Sequence, residues 1–321
     1  MVPRVFSRLS EPMPLSRHLL PQQPLNALTV DVEDYFQVQA LERVITRDSW
    51  DQREVRVEAS TDRILAIFAE ADCKATFFIL GWVARRYPEL VRRIAAAGHE
   101  VASHGLEHVR VDRHTPASFR EDVVTTKALL EDIAGQPVRG YRAPSFSIGR
   151  AQFWAYDVLA EAGHAYSSSV YPVRHDNYGI PEAPRSCFRP ANAPNIVELT
   201  LPTLSAGGRN LPAGGGGFFR LLPYAASRWS IARLNAVEQR PCIFYFHPWE
   251  VDAAQPRIDG LSAKSRFRHY LNLDRMAPRL RRLVHDFAWG RLDQVYAAAI
   301  AGAQDVPRWA PAPPTPSAAA A

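Results

Sequence analysis

Short apolar runs alternate with helical patterns along most of this chain, and that alternation restricts it to few folds. Ala27, Leu28, Val30 and Val32 read as a short buried strand. Further strands are expected at residues 75–80, 100–103, 138–141, 164–170, 195–201 and 242–246. Between them lie helical stretches. Ser60 can cap a helix that buries Ile64, Leu65, Ile67 and Phe68. Pro88 fits the first turn of another, which Gly98 ends. Thr115-Pro116 starts a third, with Phe119, Val123, Leu130 and Ile133 as its apolar stripe and Gly135 as its stop. Residues 153–162, stopped by Gly163, and residues 223–238 complete the set. Strands separated by helices argue for parallel βα units, and about seven of them with polar strand ends argue for a barrel. Asp31, His104, Arg142 and His247 all fall at C-terminal strand ends, where such barrels collect their chemistry.

Other stretches bound the rest. The formal charge is +5 over 321 residues and the basic residues are scattered, so no nucleic-acid-binding block is present. Arg279, Arg281 and Arg282 follow Pro278, which can open a helix, and read as a solvated helix face. Cys73, Cys187 and Cys242 give no disulfide framework and fit a reducing compartment. The first 26 residues hold five prolines and no continuous apolar stretch of a secretory signal, and no run is long enough to span a membrane. A cytoplasmic location is therefore expected. The expected divisions are a flexible segment at 1–26, a catalytic barrel at 27–250, a C-terminal extension packed on it at 251–306 and a disordered Ala/Pro tail at 307–321. Residues 172–194 look like an ordered excursion over the active face. The four glycines before Phe218 lack a following Gly-Lys-Ser/Thr, so they suggest a mobile loop or a close backbone approach to a ligand.

Three acids, Asp31, Glu33 and Asp34, end the first strand, and buried carboxylates need a compensating charge. His104 and His108, four residues apart, would face the same way on one helical turn and can share a metal with a carboxylate. Two nitrogens and one oxygen leave positions for water and substrate, and zinc or another first-row divalent ion fits. Arg142 is either a surface cation or the group that holds Asp31 ionised and oriented. Pro144 stiffens a loop that can aim a backbone N–H, near Ser145, at a developing oxyanion. His247 is either a core histidine or a general acid. Trp249, Trp82 and Tyr171 offer flat faces for sugar rings, with core packing as the alternative for each.

Together these residues resemble the polysaccharide deacetylase family, carbohydrate esterase family four. The motifs are Asp31-Val-Glu-Asp-Tyr-Phe, Ser103-His-Gly-Leu-Glu-His108, Arg142-Ala-Pro-Ser-Phe-Ser147 and Phe244-Tyr-Phe-His-Pro-Trp-Glu250. Their wording, with Phe267-Arg-His-Tyr-Leu-Asn-Leu273, is closest to a branch associated with exosortase-linked exopolysaccharide gene clusters. The resemblance implies a distorted (β/α) barrel and metal-dependent hydrolysis of N-acetyl groups on amino sugars. It implies Asp31 as base, His104 and His108 as metal ligands, Arg142 as the residue orienting the base and His247 as acid. The usual pair of adjacent aspartates is interrupted by Val32, so the third ligand is Glu33 or Asp34. Gly105 stands where a hydroxyl residue is usual, and Ser145 where an aromatic is common.

The expected function is a deacetylase of exopolysaccharide biosynthesis using Zn2+, Co2+ or another first-row ion. Its expected partners are an N-acetylated glycan or its lipid-linked precursor, and the biosynthesis machinery, without nucleic acid. Two rivals are a hydrolase of small cyclic amides such as ureides, favoured by a closed pocket, and a non-catalytic glycan-binding scaffold.

Overall fold

The computed structural model describes residues 24–176 and 178–312. Seven parallel strands form one curled sheet: β1 (Asn26–Val32), β2 (Thr76–Ile79), β3 (Glu100–Ser103), β4 (Gly140–Tyr141), β5 (Tyr166–Ser167), β6 (Val197–Glu198) and β7 (Ile243–Phe246). An eighth strand, β8 (Trp289–Gly290), also pairs with β1. The spatial order is β7-β1-β2-β3-β4-β5-β6, and no pairing joins β6 to β7 among the described residues. The result is a distorted (β/α) barrel left open on one side. Helices α1 (Val57–Glu70), α2 (Gly81–Arg86), α3 (Pro88–Ala96), α4 (Pro116–Ala134) and α5 (Ala155–Glu161) follow the first four strands. After β6 come a separate antiparallel hairpin, Thr203–Ala206 with Arg209–Pro212, and then α6 (Gly216–Leu221) and α7 (Tyr224–Ala236). Beyond β7 lie α8 (Ala263–Tyr270) and α9 (Leu273–Asp286). No helix among the described residues is long and apolar enough to cross a membrane.

β1 is buried along its whole length, as a strand between two parallel neighbours should be. Its alternation sorts the core. Leu28, Val30 and Val32 join Phe77, Ile79, Phe244 and Phe246 in the layer beneath the helices. The alternate residues Ala27, Thr29 and Asp31 point into the barrel, where Ala27 packs with Phe78, Ala102, Tyr166, Ile243 and Tyr245. The same parity carries Asp31 to the interior at the strand's C-terminal end.

Several local expectations change. Ser60 lies inside α1, which begins at Val57. The helix is capped from a distance, because Asp34 Oδ2 accepts from the N–H groups of Arg56 (2.7 Å) and Val57 (2.9 Å). Pro278 lies within α9 rather than opening it, since the buried stripe Leu273, Met276, Leu280 and Leu283 begins before it. Strands at 164–170 and 195–201 contract to two residues each. The ordered chain also passes the expected boundary at 307: Arg308–Trp309 pairs in parallel with Arg189–Pro190, and Trp309 packs on Phe153 and Phe188. Residues 1–23 and 313–321, where flexible ends were expected, lie outside the described residues.

At the opposite end of the barrel from Asp31, Glu100 is buried and accepts from Thr76 Oγ1 (2.6 Å) and Tyr166 OH (2.8 Å). Burial, with Asp293 nearby, raises its pKa from 4.5 to about 7. A carboxyl whose pKa is raised in the folded state binds more protons folded than unfolded, so stability falls as pH rises through this window. Urea midpoints of the wild type should therefore decline between about pH 4.5 and 7. Glu100→Gln should flatten that decline and cost less stability at pH 8 than at pH 5. An identical pH profile in both proteins would remove Glu100 as the cause.

Candidate active site

The loop after β1 turns back on itself, the Glu33 N–H bonding to the Asp31 carbonyl at 3.0 Å. This keeps Asp31 and Glu33 together at the mouth of the barrel. Asp31 Oδ1 accepts from Arg142 Nη1 at 2.6 Å. Arg142 is fully buried, and every arm of its guanidinium is held. Nη1 also donates to Thr29 Oγ1 (2.8 Å), Nε to the Ser168 carbonyl (3.0 Å) and Nη2 to Ser168 Oγ (3.0 Å). The group lies 4.1 Å over the Phe78 ring. A buried arginine so fixed leaves its carboxylate partner one orientation.

Glu33, His104 and His108 form the one group of three His, Cys, Asp or Glu side chains found among the described residues with donor atoms suited to a metal, all within 4.8 Å of one another. The two histidines do not share a helical turn. They sit on a loop in which Gly105 (φ +77°) and His108 (φ +57°) are left-handed. That loop is pinned to the start of α2 by Gly81 N–H to Gly105 O (2.9 Å) and Trp82 N–H to Leu106 O (2.7 Å). It is pinned to α4 by Asp122, whose carboxylate accepts from the Leu106 N–H at 3.1 Å. Asp122 thus holds the loop at the point where Gly105 lacks a side-chain hydroxyl.

The donor chemistry fits a divalent cation. Burial opposes the charge on Glu33, but His108, His247 and His104 outweigh it and hold the pKa down to about 2. Burial, followed by the opposing pull of Asp31, leaves His104 at about 4, hence neutral near pH 7. His104 Nδ1 lies 2.8 Å from the Arg142 carbonyl, which can only accept, so this nitrogen carries the proton and Nε2 keeps its lone pair. Glu33 Oε2 is buried without a well-aligned hydrogen bond, although His108 Nε2 is 2.9 Å away. Such an orphaned oxygen between two imidazoles is what an ion would satisfy.

His247 follows β7 and faces the same acids, with Nε2 4.0 Å from Asp31 Oδ2 and 3.5 Å from Glu33 Oε1. Its Nδ1 lies 2.9 Å from Glu250 Oε1. Burial disfavours its charge, but Glu33, Glu250 and Asp31 together raise its pKa to about 9. These groups open onto a groove of about 990 Å³ that reaches outward to Arg43, Arg113, Lys264 and Arg268.

A family model described as "Polysaccharide deacetylase" matches residues 44–166. The chain carries a polysaccharide deacetylase domain. A second family model, "Domain of unknown function (DUF3473)", matches residues 168–297. A chitooligosaccharide deacetylase of Bradyrhizobium sp. is 34% identical over 112 residues, 35% of this chain and 48% of the relative. One from Rhizobium leguminosarum bv. trifolii is 36% identical over 151 residues, 46% of this chain and 61% of the relative. A peptidoglycan-N-acetylglucosamine deacetylase of Bacillus cereus is 32% identical over 96 residues, 30% of this chain and 35% of the relative. The chain thus spans between about a third and three fifths of these relatives. A crystal structure of a Mycobacterium smegmatis protein, provisionally named a polysaccharide deacetylase, aligns over 96% of this chain and 100% of its own, at 20% identity and a TM-score of 0.59. That likeness is one of fold.

Not every expected site residue reaches the groove. Asp34 stands outside the Glu33–His104–His108 group, because its oxygens accept from the N–H groups of Tyr35, Arg56 and Val57. Tyr171 is buried, and Tyr178 stacks on it and takes the groove face instead. Trp82 is core, packed against Phe36 and Trp50. Trp249 borders the groove, yet both its faces are covered, by His247 (5.3 Å) and His269 (4.4 Å), so it offers no open face to a sugar. Its Nε1 donates to Glu33 Oε1 at 3.2 Å. Ser145 borders the groove in a left-handed conformation (φ +54°) at the turn Pro144 begins, and Pro144 packs toward Gly105.

Glu250 and Arg220 were missed by sequence reasoning. Glu250 bonds Arg220 Nε at 2.7 Å as well as His247 Nδ1, and all three are largely buried. Glu250 lies three residues after His247, which was a readable signal; Arg220, thirty residues upstream, offered none. The glycine run explains their meeting. A Cβ on Gly216 would lie 2.1 Å from Glu250 Oε1, and one on Gly215 2.6 Å from the Tyr245 ring. The close backbone approach is therefore to the protein's own side chains.

Proposed function

We propose that this protein is a metal-dependent hydrolase that removes N-acetyl groups from hexosamine units of a glycan, or of its lipid-linked precursor, during exopolysaccharide biosynthesis. One observation carries the proposal: a carboxylate and two imidazoles converge beside an Arg-held aspartate and a charged histidine at the floor of an open groove. Glu33, His104 and His108 would hold the ion, with zinc, cobalt or another first-row metal suited to the set. When bound, that ion supplies a lowered water pKa and a polarised acetyl carbonyl.

The chain's own groups supply the rest. Asp31, oriented by Arg142, accepts the proton of the attacking water. The Ser145 N–H, presented by the turn after Pro144, is the donor for the developing oxyanion. His247, positively charged at neutral pH, donates a proton from Nε2 to the departing nitrogen, while Glu250 keeps Nδ1 hydrogen-bonded and the ring fixed. Loss of the protonated amine leaves acetate and a free amino sugar. An open groove extending to a charged rim suits a sugar chain better than a small cyclic amide, which calls for a closed cavity.

Acetate release from a panel of N-acetylhexosamine oligomers tests this. Release should stop on chelation and return with zinc or cobalt. Tightly bound metal without release from any glycan would sink the proposal and favour the cyclic amides or a binding role.

A further inference from the structure

Helix α6 is apolar on both sides. Phe219 faces inward against Phe244 and Tyr224. Phe218 and Leu221, at i and i+3, share another side, and Leu222 caps the helix C-terminus; the three are 38%, 46% and 40% exposed. A short helix that keeps a bare apolar face in water is unusual unless something covers it. The neighbouring α8 repeats the theme. Phe267 is 56% exposed and lies between Arg266 and Arg268.

The two helices are tied together, because Arg220 of α6 donates to the carbonyls of Arg268, His269 and Leu271 at the end of α8. Arg279 of α9 holds the end of α6 in turn, donating to the Phe219 and Leu222 carbonyls. Acids are present around these side chains, Asp176 acting on Arg268 and Asp274 adjoining Arg275, but three arginines stand outside any ion pair. Arg266, Arg268 and Arg275 have no carboxylate within ion-pair distance among the described residues. Gly217, Ser265 and Arg268 also border the groove, so the patch forms one lip of the site.

We infer that the α6–α8 lip docks on an anionic phospholipid surface. Aromatic and leucine side chains beside arginines that form no ion pair match a bilayer interface, where the apolar groups enter the acyl boundary and the cations meet phosphate. Docking there would bring the mouth of the groove to the lipid surface. The inference does not depend on the proposed chemistry, since it concerns binding alone.

The test is co-sedimentation of the full chain with vesicles of phosphatidylcholine, and of phosphatidylcholine mixed with phosphatidylglycerol. Binding should be at least about tenfold stronger to the mixed vesicles and should weaken with salt. The combined substitution Phe218→Ser, Leu221→Ser and Phe267→Ser should reduce it by a further order of magnitude or so. Arg266→Gln and Arg275→Gln should each weaken it by about fivefold. All five positions face outward, and equal melting temperatures would show that the variants fold. Absence of vesicle binding, unchanged binding by the triple variant, or retention of a soluble acidic polysaccharide without vesicle binding would each overturn the inference.

Discussion

Asp31→Asn should slow acetate release by about 10²–10⁴-fold, the usual contribution of a positioned general base. Bound metal should remain, because Glu33, His104 and His108 are untouched. Stability should fall too, by up to about 3–5 kcal/mol, since Arg142 would keep its charge in a fully buried site without its counter-ion. The two effects can be separated. Adding Arg142→Gln removes the stranded charge, so the double variant should recover part of the lost stability and none of the activity. Urea midpoints and acetate assays on the same preparations decide it. If the single variant retained full activity, Asp31 would not be the base.

Glu33→Gln and Asp34→Ala should have opposite consequences, although the residues are adjacent. Glu33 Oε2 lies between imidazoles with no well-aligned hydrogen bond, so losing its charge should cost more than about 100-fold in metal affinity, beyond the range typical of partners outside the ligand set. His104→Ala should do the same. Asp34→Ala should keep the metal and lower stability by about 1–3 kcal/mol, because buried N–H groups at the start of α1 lose their acceptor. Metal content after dialysis and urea midpoints read the two effects independently. Metal lost from Asp34→Ala and kept by Glu33→Gln would reverse the assignment of the third ligand.

The barrel was legible because buried parallel strands are nearly uninterrupted apolar runs and the helix stops were glycines or prolines. Thr115-Pro116 and Gly135 bound α4 as expected, with Gly135 left-handed. Asp31, His104, Arg142 and His247 could be found because strand parity and strand ends place them. Long-range contacts left no such trace. Nothing near Ser60 announces that α1 is capped by Asp34, over twenty residues earlier. Trp249 reads as a sugar platform until His269, from α8, is found covering its second face. The choice between Glu33 and Asp34 could not be made by spacing, since what separates them is whose N–H groups each carboxylate meets.

The strand order bears on how the chain can be divided. β1 precedes the 44–166 match, yet two of its neighbours, β7 and β8, come from the 168–297 match. Asn26 bonds to Ala288, 262 positions away. The strand that carries Asp31 therefore gains its last partners only after residue 290 has been synthesised. The two matched regions share one sheet whose closure is non-local, and a ribosome-bound intermediate would hold β1 with an unpaired edge until β7 emerges.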